Sequence, residues 1–178
     1  MILSIGHSKR SGAELVALLA AHGVACVCDI RALPRSRRYP QFERAALAAA
    51  FRAADIDYEW WGDRLGGLRK PRPDSPNHAL IEPGFRGFAD YMQVDAFRQA
   101  VQALVAHAAT RTTAMLCAEA AHERCHRRLI ADYLELNGTV VAHIVDHRHT
   151  LAHRLHPALG DARDPPVYNS HPQGDLFA

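Results

Sequence analysis

No apolar run in this 178-residue sequence is long enough to cross a bilayer as a helix. Met1 to Gly6 is too short and too uncharged for a secretory leader and reads as a first strand. The expected compartment is therefore the cytoplasm, with no membrane partner. No internal repeat is visible, which excludes a repeat architecture. Charge of one sign is scarce, since the net charge is only +2, so composition alone does not imply a nucleic-acid partner. Cysteine is sparse too: the four thiols include no Cys-x-x-Cys and no two close pairs of the zinc-finger kind. In a reducing compartment they are expected to be free. What remains is an ordinary globular composition, 48% hydrophobic and 22% charged, enough for one domain with a substantial core. Histidine is the exception, with 12 residues whose charge will rise as pH falls.

Apolar strand patterns alternate with helical ones. Ile2 to Ile5 is a first strand. Ser11-Gly12-Ala13-Glu14 is a capping-box pattern that opens a helix with Leu15, Leu18 and Leu19 on its buried stripe, and Gly23 closes it. Val24 to Ile30 is a second strand, with Cys26 and Cys28 on one face. Phe42 to Ala54 is a helix, Ile56 to Trp61 a third strand, and the proline-rich stretch 70–83 a long loop. Helical segments follow around Phe85 to Met92 and Val94 to Val105. Thr113 to Leu116 is a fourth strand, Arg124 to Leu136 an amphipathic helix and Thr139 to Val145 a fifth strand. The spacing predicts a single α/β domain over residues 1–154. Its mostly parallel five-stranded sheet is flanked by helices, and an extended proline-rich tail covers 155–178.

In such sheets ligands bind beyond the carboxyl ends of the strands. The loop from Cys117 to Arg127 lies there and packs two thiols, two carboxylates, two imidazoles and two guanidiniums into one turn. Cys117 and Cys125 are candidate nucleophiles or ligands; Glu119 and His126 are candidate proton carriers. Cys125 and His126 are expected to point inward, and Arg127 and Arg128 toward solvent, with Arg128 able to pair with Asp132. A phosphatase-like loop would need arginine six residues after Cys117, where Glu123 stands. The thiols could instead form a redox pair, or a metal site with His126 and His122. Cys26 and Cys28 read more simply as core residues. The arginine-rich loop around Arg31 and Arg37 suits phosphates, and Arg31, Arg37 and Arg127 together would hold an anion. Trp60 and Trp61 could stack a base, although one buried and one partly exposed indole is the plainer reading. His143, His147, His149 and His153 resemble a metal stripe, but unconnected surface histidines are expected.

These motifs together resemble the family known as domain of unknown function number 488. The matching pieces are Ile5-Gly6-His7-Ser8, Asp29 through Arg37, Leu65-Gly66-Gly67, Phe85 through Met92, Cys117-Ala118-Glu119, Cys125-His126-Arg127 and Ile130-Ala131-Asp132. At His122 the family usually has proline. The resemblance implies an α/β fold and a shared polar site that takes in His7, Ser8, Gly66 and Gly67. It implies no established activity and leaves the cofactor unknown.

The sequence ends Gln173-Gly174-Asp175-Leu176-Phe177-Ala178. This looks like the peptide by which bacterial polymerases and repair proteins dock on the sliding clamp, with Gln173, Leu176 and Phe177 as contact residues. The leading expectation is a protein working on or near DNA, with a Cys/His/Arg site for a phosphate-bearing ligand, DNA or nucleotide. The alternatives are a metal or thiol-redox protein built on Cys117, Cys125 and His126, and a binding module without chemistry.

Overall fold

The computed structural model describes residues 1–161 and 164–170. The strands are β1 (Ile2–Gly6), β2 (Cys26–Asp29), β3 (Asp57–Trp60), β4 (Thr113–Cys117), β5 (Val141–Ile144) and β6 (Thr150–Ala152). They form one sheet in the order β3-β2-β4-β1-β5-β6. Five run parallel; β6 pairs antiparallel with β5. The helices are α1 (Gly12–Ala21), α2 (Arg44–Arg52), α3 (Gly62–Leu65), α4 (Pro83–Tyr91), α5 (Asp95–Thr110) and α6 (Arg127–Leu136). No helix among the described residues is long and apolar enough to cross a membrane.

Each face of the sheet buries its own alternate residues. Leu3, Ile5, Val27, Ala114 and Leu116 pack against Leu15, Leu18 and Leu19 of α1 and Leu47 and Phe51 of α2. Ile2, Cys26, Cys28, Met115 and Cys117 pack against α4, α5 and α6 through Phe88, Phe97, Leu104 and Ile130. The period of two along the strands decides which residue goes to which layer.

Local signals explain the helix ends. Ser11 Oγ accepts from Glu14 N–H at 3.1 Å, and Ser11 N–H donates to the Glu14 carboxylate at 2.6 Å, so the capping box forms. Gly23 follows α1 at φ +63°, a conformation that glycine takes without a Cβ penalty.

The sequence expectations need three corrections here. A sixth strand is present, too short and too exposed to show alternation. Within the surface tail expected over 155–178, the described residues 155–161 and 164–170 place Ala158 and Tyr168 in the core. Tyr168 donates its hydroxyl to Asp132 Oδ2 at 2.8 Å, and its backbone joins Asn77 and Ala79 of the long loop. Asp132 does not pair with Arg128; it receives His153, Tyr168 and the His156 amide.

Candidate functional site

After β1 and β2 the chain passes to α1 and α2 on one face of the sheet. After β4, which lies between them, it passes to α6 on the other. The connections diverge at the carboxyl end of β4, and a crevice opens there. His7 N–H donates to Cys117 O at 2.9 Å, and Ser8 N–H donates to Ala118 O at 2.8 Å. These bonds tie the end of β1 to the loop after β4. A Cβ on Gly6 would lie 1.7 Å from Glu119 O, so this close approach requires glycine.

The crevice is a cleft of about 290 Å³ lined by Arg31, Glu119, Arg124, Cys117, Cys125 and His126, with Leu33, Leu68 and Phe85 on its apolar side. The Cys117 thiol donates to Glu119 Oε2 at 3.1 Å. His126 Nδ1 lies 3.9 Å from Cys117 Sγ and 3.8 Å from Cys125 Sγ. His126 Nε2 lies 3.0 Å from Leu65 O. A carbonyl only accepts, so Nε2 carries the proton and Nδ1 turns its lone pair toward both sulfurs. Phe88 packs edge-on at 5.0 Å to fix the ring. The ligand atoms of Cys117, Cys125 and His126 all lie within 4.8 Å of one another.

The two thiols differ. The hydrogen bond to Cys125, together with burial, pushes Cys117 well above the usual thiol range. Burial also opposes ionisation of Cys125, but the hydrogen bond from Cys117, the bond and charge that His126 supplies when its Nδ1 is protonated as well, and the charge of Arg127 outweigh it. Cys125 is thereby lowered to about 5. Burial alone would raise Glu119, but the hydrogen bond from Cys117, the neighbouring Cys125, a backbone N–H bond and the charge of a protonated His126 together lower it.

His7 and Arg31 form the adjoining wall. Arg31 Nη1 donates to Phe42 O at 2.9 Å and lies 3.3 Å from His7 Nε2. The guanidinium donates, so His7 Nε2 accepts and Nδ1 donates to Ser8 O at 3.1 Å. Burial, then the charge of Arg31, lowers His7 to about 4, and the ring is neutral at physiological pH.

The three arginines expected to share an anion do not converge. Arg31 is spent on Asp29, Phe42 and His7. Arg127, expected near solvent, is 2% exposed and donates to Glu119 O and Ala120 O, holding the loop in shape. Arg37 is exposed and does not line the cleft. Arg124 does line it, although nothing in the loop's spacing singles this arginine out from Arg127. Ser8 contributes backbone only. Gly66 packs on Ala32, and Gly67 lies under the His126 ring. Trp61 is buried and Trp60 partly exposed, with its indole N–H on Arg31 O at 2.9 Å. Cys26 and Cys28 are buried, and Cys26 Sγ meets His107 Nε2 at 3.3 Å, so they do not complete the loop's set. His143 and His153 are joined at 3.0 Å rather than scattered, whereas His147 and His149 are exposed. Gln173, Leu176 and Phe177 lie outside the described residues.

The fold and the cleft define an α/β protein with a thiol–imidazole site at the carboxyl edge of a mostly parallel sheet. The chain belongs to the family described as domain of unknown function DUF488, whose model matches residues 11–134. Comparison with curated proteins and with solved structures found no match.

Proposed function

We propose that Cys117, Cys125 and His126 bind a zinc-class ion that faces the cleft and serves as a Lewis acid for a small substrate. The observation that carries this reading is the bond from His126 Nε2 to Leu65 O, which turns Nδ1 toward both sulfurs. Ligating histidines are supported in this way from behind. Two sulfurs and one nitrogen make a soft donor set, and three protein ligands leave a position for water or substrate. Such an ion acidifies bound water or polarises a carbonyl. Glu119, which accepts the hydrogen bond of the Cys117 thiol, would carry protons at that position. Arg124 adds a cation at the rim, and Leu33, Leu68 and Phe85 suit an apolar part of the substrate.

This reading is preferred to phosphate binding because Arg31 and Arg127 have no free donor fork to offer an anion. A second reading rests on the unequal thiols, Cys125 ready to ionise beside a protonated Cys117: a nucleophile with a resolving partner. A role on DNA through clamp recruitment is carried by the 173–178 peptide alone.

The test is cobalt substitution of protein reduced and stripped of metal. One Co²⁺ per chain should bind with a sulfur-to-cobalt charge-transfer band. Cys117→Ser and Cys125→Ser should each remove the band, and Cys26→Ser should leave it. A wild-type protein with no such band, whose Cys125 alkylates equally fast with and without metal, overturns the metal reading in favour of the thiol one.

A further inference from the structure

We propose that His122, His143 and His153 form a second, all-imidazole site for a divalent transition-metal ion, two strands along the sheet from Cys117. It stands independently of the thiol centre, since it shares none of those ligands.

The fold gathers these residues from three places. His143 lies on β5 beside Ser4 of β1, its register partner. The turn into β6 returns the chain, and His153 N–H donates to Val141 O at 3.0 Å. The short helical turn His122–Arg124 lays the His122 ring on His143, centroids 3.6 Å apart. The three residues offer nitrogen atoms that all lie within 4.8 Å of one another.

The support behind them is that of a metal ligand. His153 Nε2 donates to Asp132 Oδ1 at 2.8 Å, and both side chains are 0% exposed. A carboxylate only accepts, so the lone pair of His153 Nδ1 is directed at His143 Nε2, 3.0 Å away. Two nitrogens each about 2 Å from one ion stand at about this separation. Asp132 is itself held by the Tyr168 hydroxyl at 2.8 Å and the His156 amide at 3.0 Å. A carboxylate fixed in this way behind an imidazole sets its tautomer and raises its basicity.

A second observation points to a ligand. Beside the histidines is a cavity of about 190 Å³ lined by Ser4, Arg10, His122, Glu123, Arg127 and His143. Ser4 Oγ, His143 Nδ1 and Arg127 Nε are all buried without a hydrogen-bond partner among the described residues. Buried polar atoms are rarely left so. An ion with a bound water or anion would engage Ser4 and Arg127. It would also move the His143 proton: Nε2 gives up its hydrogen to bind the ion, and Nδ1 takes one, with no change in the ring's charge. The imidazole donor set suits zinc, nickel or copper rather than magnesium or calcium.

One movement is required. The His122 and His143 rings are inclined by only 14°, and no ion can lie in the planes of two rings so stacked. His122 must turn off His143 to ligate. It sits in a short turn with an exposed neighbour on either side, which leaves it room.

The experiment is Co²⁺ titration of the full chain, reduced and stripped of metal, with the Cys117→Ser/Cys125→Ser variant beside it. That variant should still bind one Co²⁺ per chain, with ligand-field bands and no sulfur charge-transfer band. His122→Ala should weaken this event at least tenfold, and His143→Gln should abolish it. Both substitutions should leave the thiolate band of otherwise wild-type protein intact, which also shows that they fold. The proposal is overturned if the double-serine variant binds no ion, or if His122→Ala and His143→Gln bind as tightly as their parent. Loss of the thiolate band in wild type with the imidazole event retained would sink only the thiol centre.

Discussion

Asp29 and Arg31, two residues apart, form an ion pair with almost no contact with water. Arg31 Nη2 reaches Asp29 Oδ2 at 2.6 Å, and the side chains are 6% and 0% exposed. Asp29 also accepts from the Tyr58 hydroxyl at 2.7 Å and from Arg31 N–H at 3.0 Å. The pair thus fixes the turn from β2 into the cleft wall. Removing one charge leaves the other buried and unpaired, which costs about 3–5 kcal/mol. Asp29→Asn should lower stability by about that amount in urea unfolding, with an unchanged denaturant slope. A loss below about 1 kcal/mol would show that the pair contributes like a surface bridge.

Gly67 tests how closely the loop after α3 supports the site. A Cβ there would meet His126 Cγ and Nδ1 at 2.6 Å. Gly67→Ala should therefore displace the ring from Leu65 O and weaken cobalt binding at the thiols at least tenfold, about 1.4 kcal/mol. Gly84 lines the same cleft, but a Cβ there meets nothing within 4 Å. Gly84→Ala should bind cobalt as wild type does. Equal affinities for the two variants would show that His126 is not held in the way described.

The 173–178 peptide carries the proposed clamp contact. Leu176 and Phe177 suit a preformed apolar pocket on a partner, and Gln173 can donate and accept at its rim. Ordering a short segment opposes binding, so a Kd of about micromolar order is expected, roughly 8 kcal/mol. Titration of a purified bacterial clamp should show it, and a Leu176→Ala/Phe177→Ala double variant should not. Equal binding by both chains, or by neither, removes this contact.

The alternation of strands and helices was legible because each element's own residues carry its period. The crowded loop was legible because seven of its chemical side chains lie within ten positions, from Cys117 to His126. Burial of the arginines was not legible. Arg31 and Arg127 look like anion donors until Asp29 and the carbonyls of Glu119 and Ala120 are seen to take their hydrogens. The histidine cluster was hidden for a related reason. His122, His143 and His153 share no sequence spacing, and only the β5–β6 reversal and the turn after β4 bring them together. The His126 tautomer depends on Leu65 O, a backbone atom that no motif names.

Tyr168 works as a clasp between parts of the chain that are far apart in sequence. Its hydroxyl donates to Asp132 on α6, its amide donates to Asn77 Oδ1 at 3.0 Å, and its carbonyl accepts from Ala79 N–H at 3.1 Å. Asn77 in turn joins Asp90 of α4 at 2.9 Å. A fragment cut at residue 154 would therefore lose more than a tail. It would leave the long proline-rich loop bonded to Asp90 of α4 but without its Tyr168 backbone partners, remove Ala158 and Tyr168 from the core, the tyrosine alone worth about 2–3 kcal/mol of apolar burial, and take two donors, the Tyr168 hydroxyl and the His156 amide, from the carboxylate behind His153. Such a fragment could keep every strand and still lose the order of its second histidine cluster.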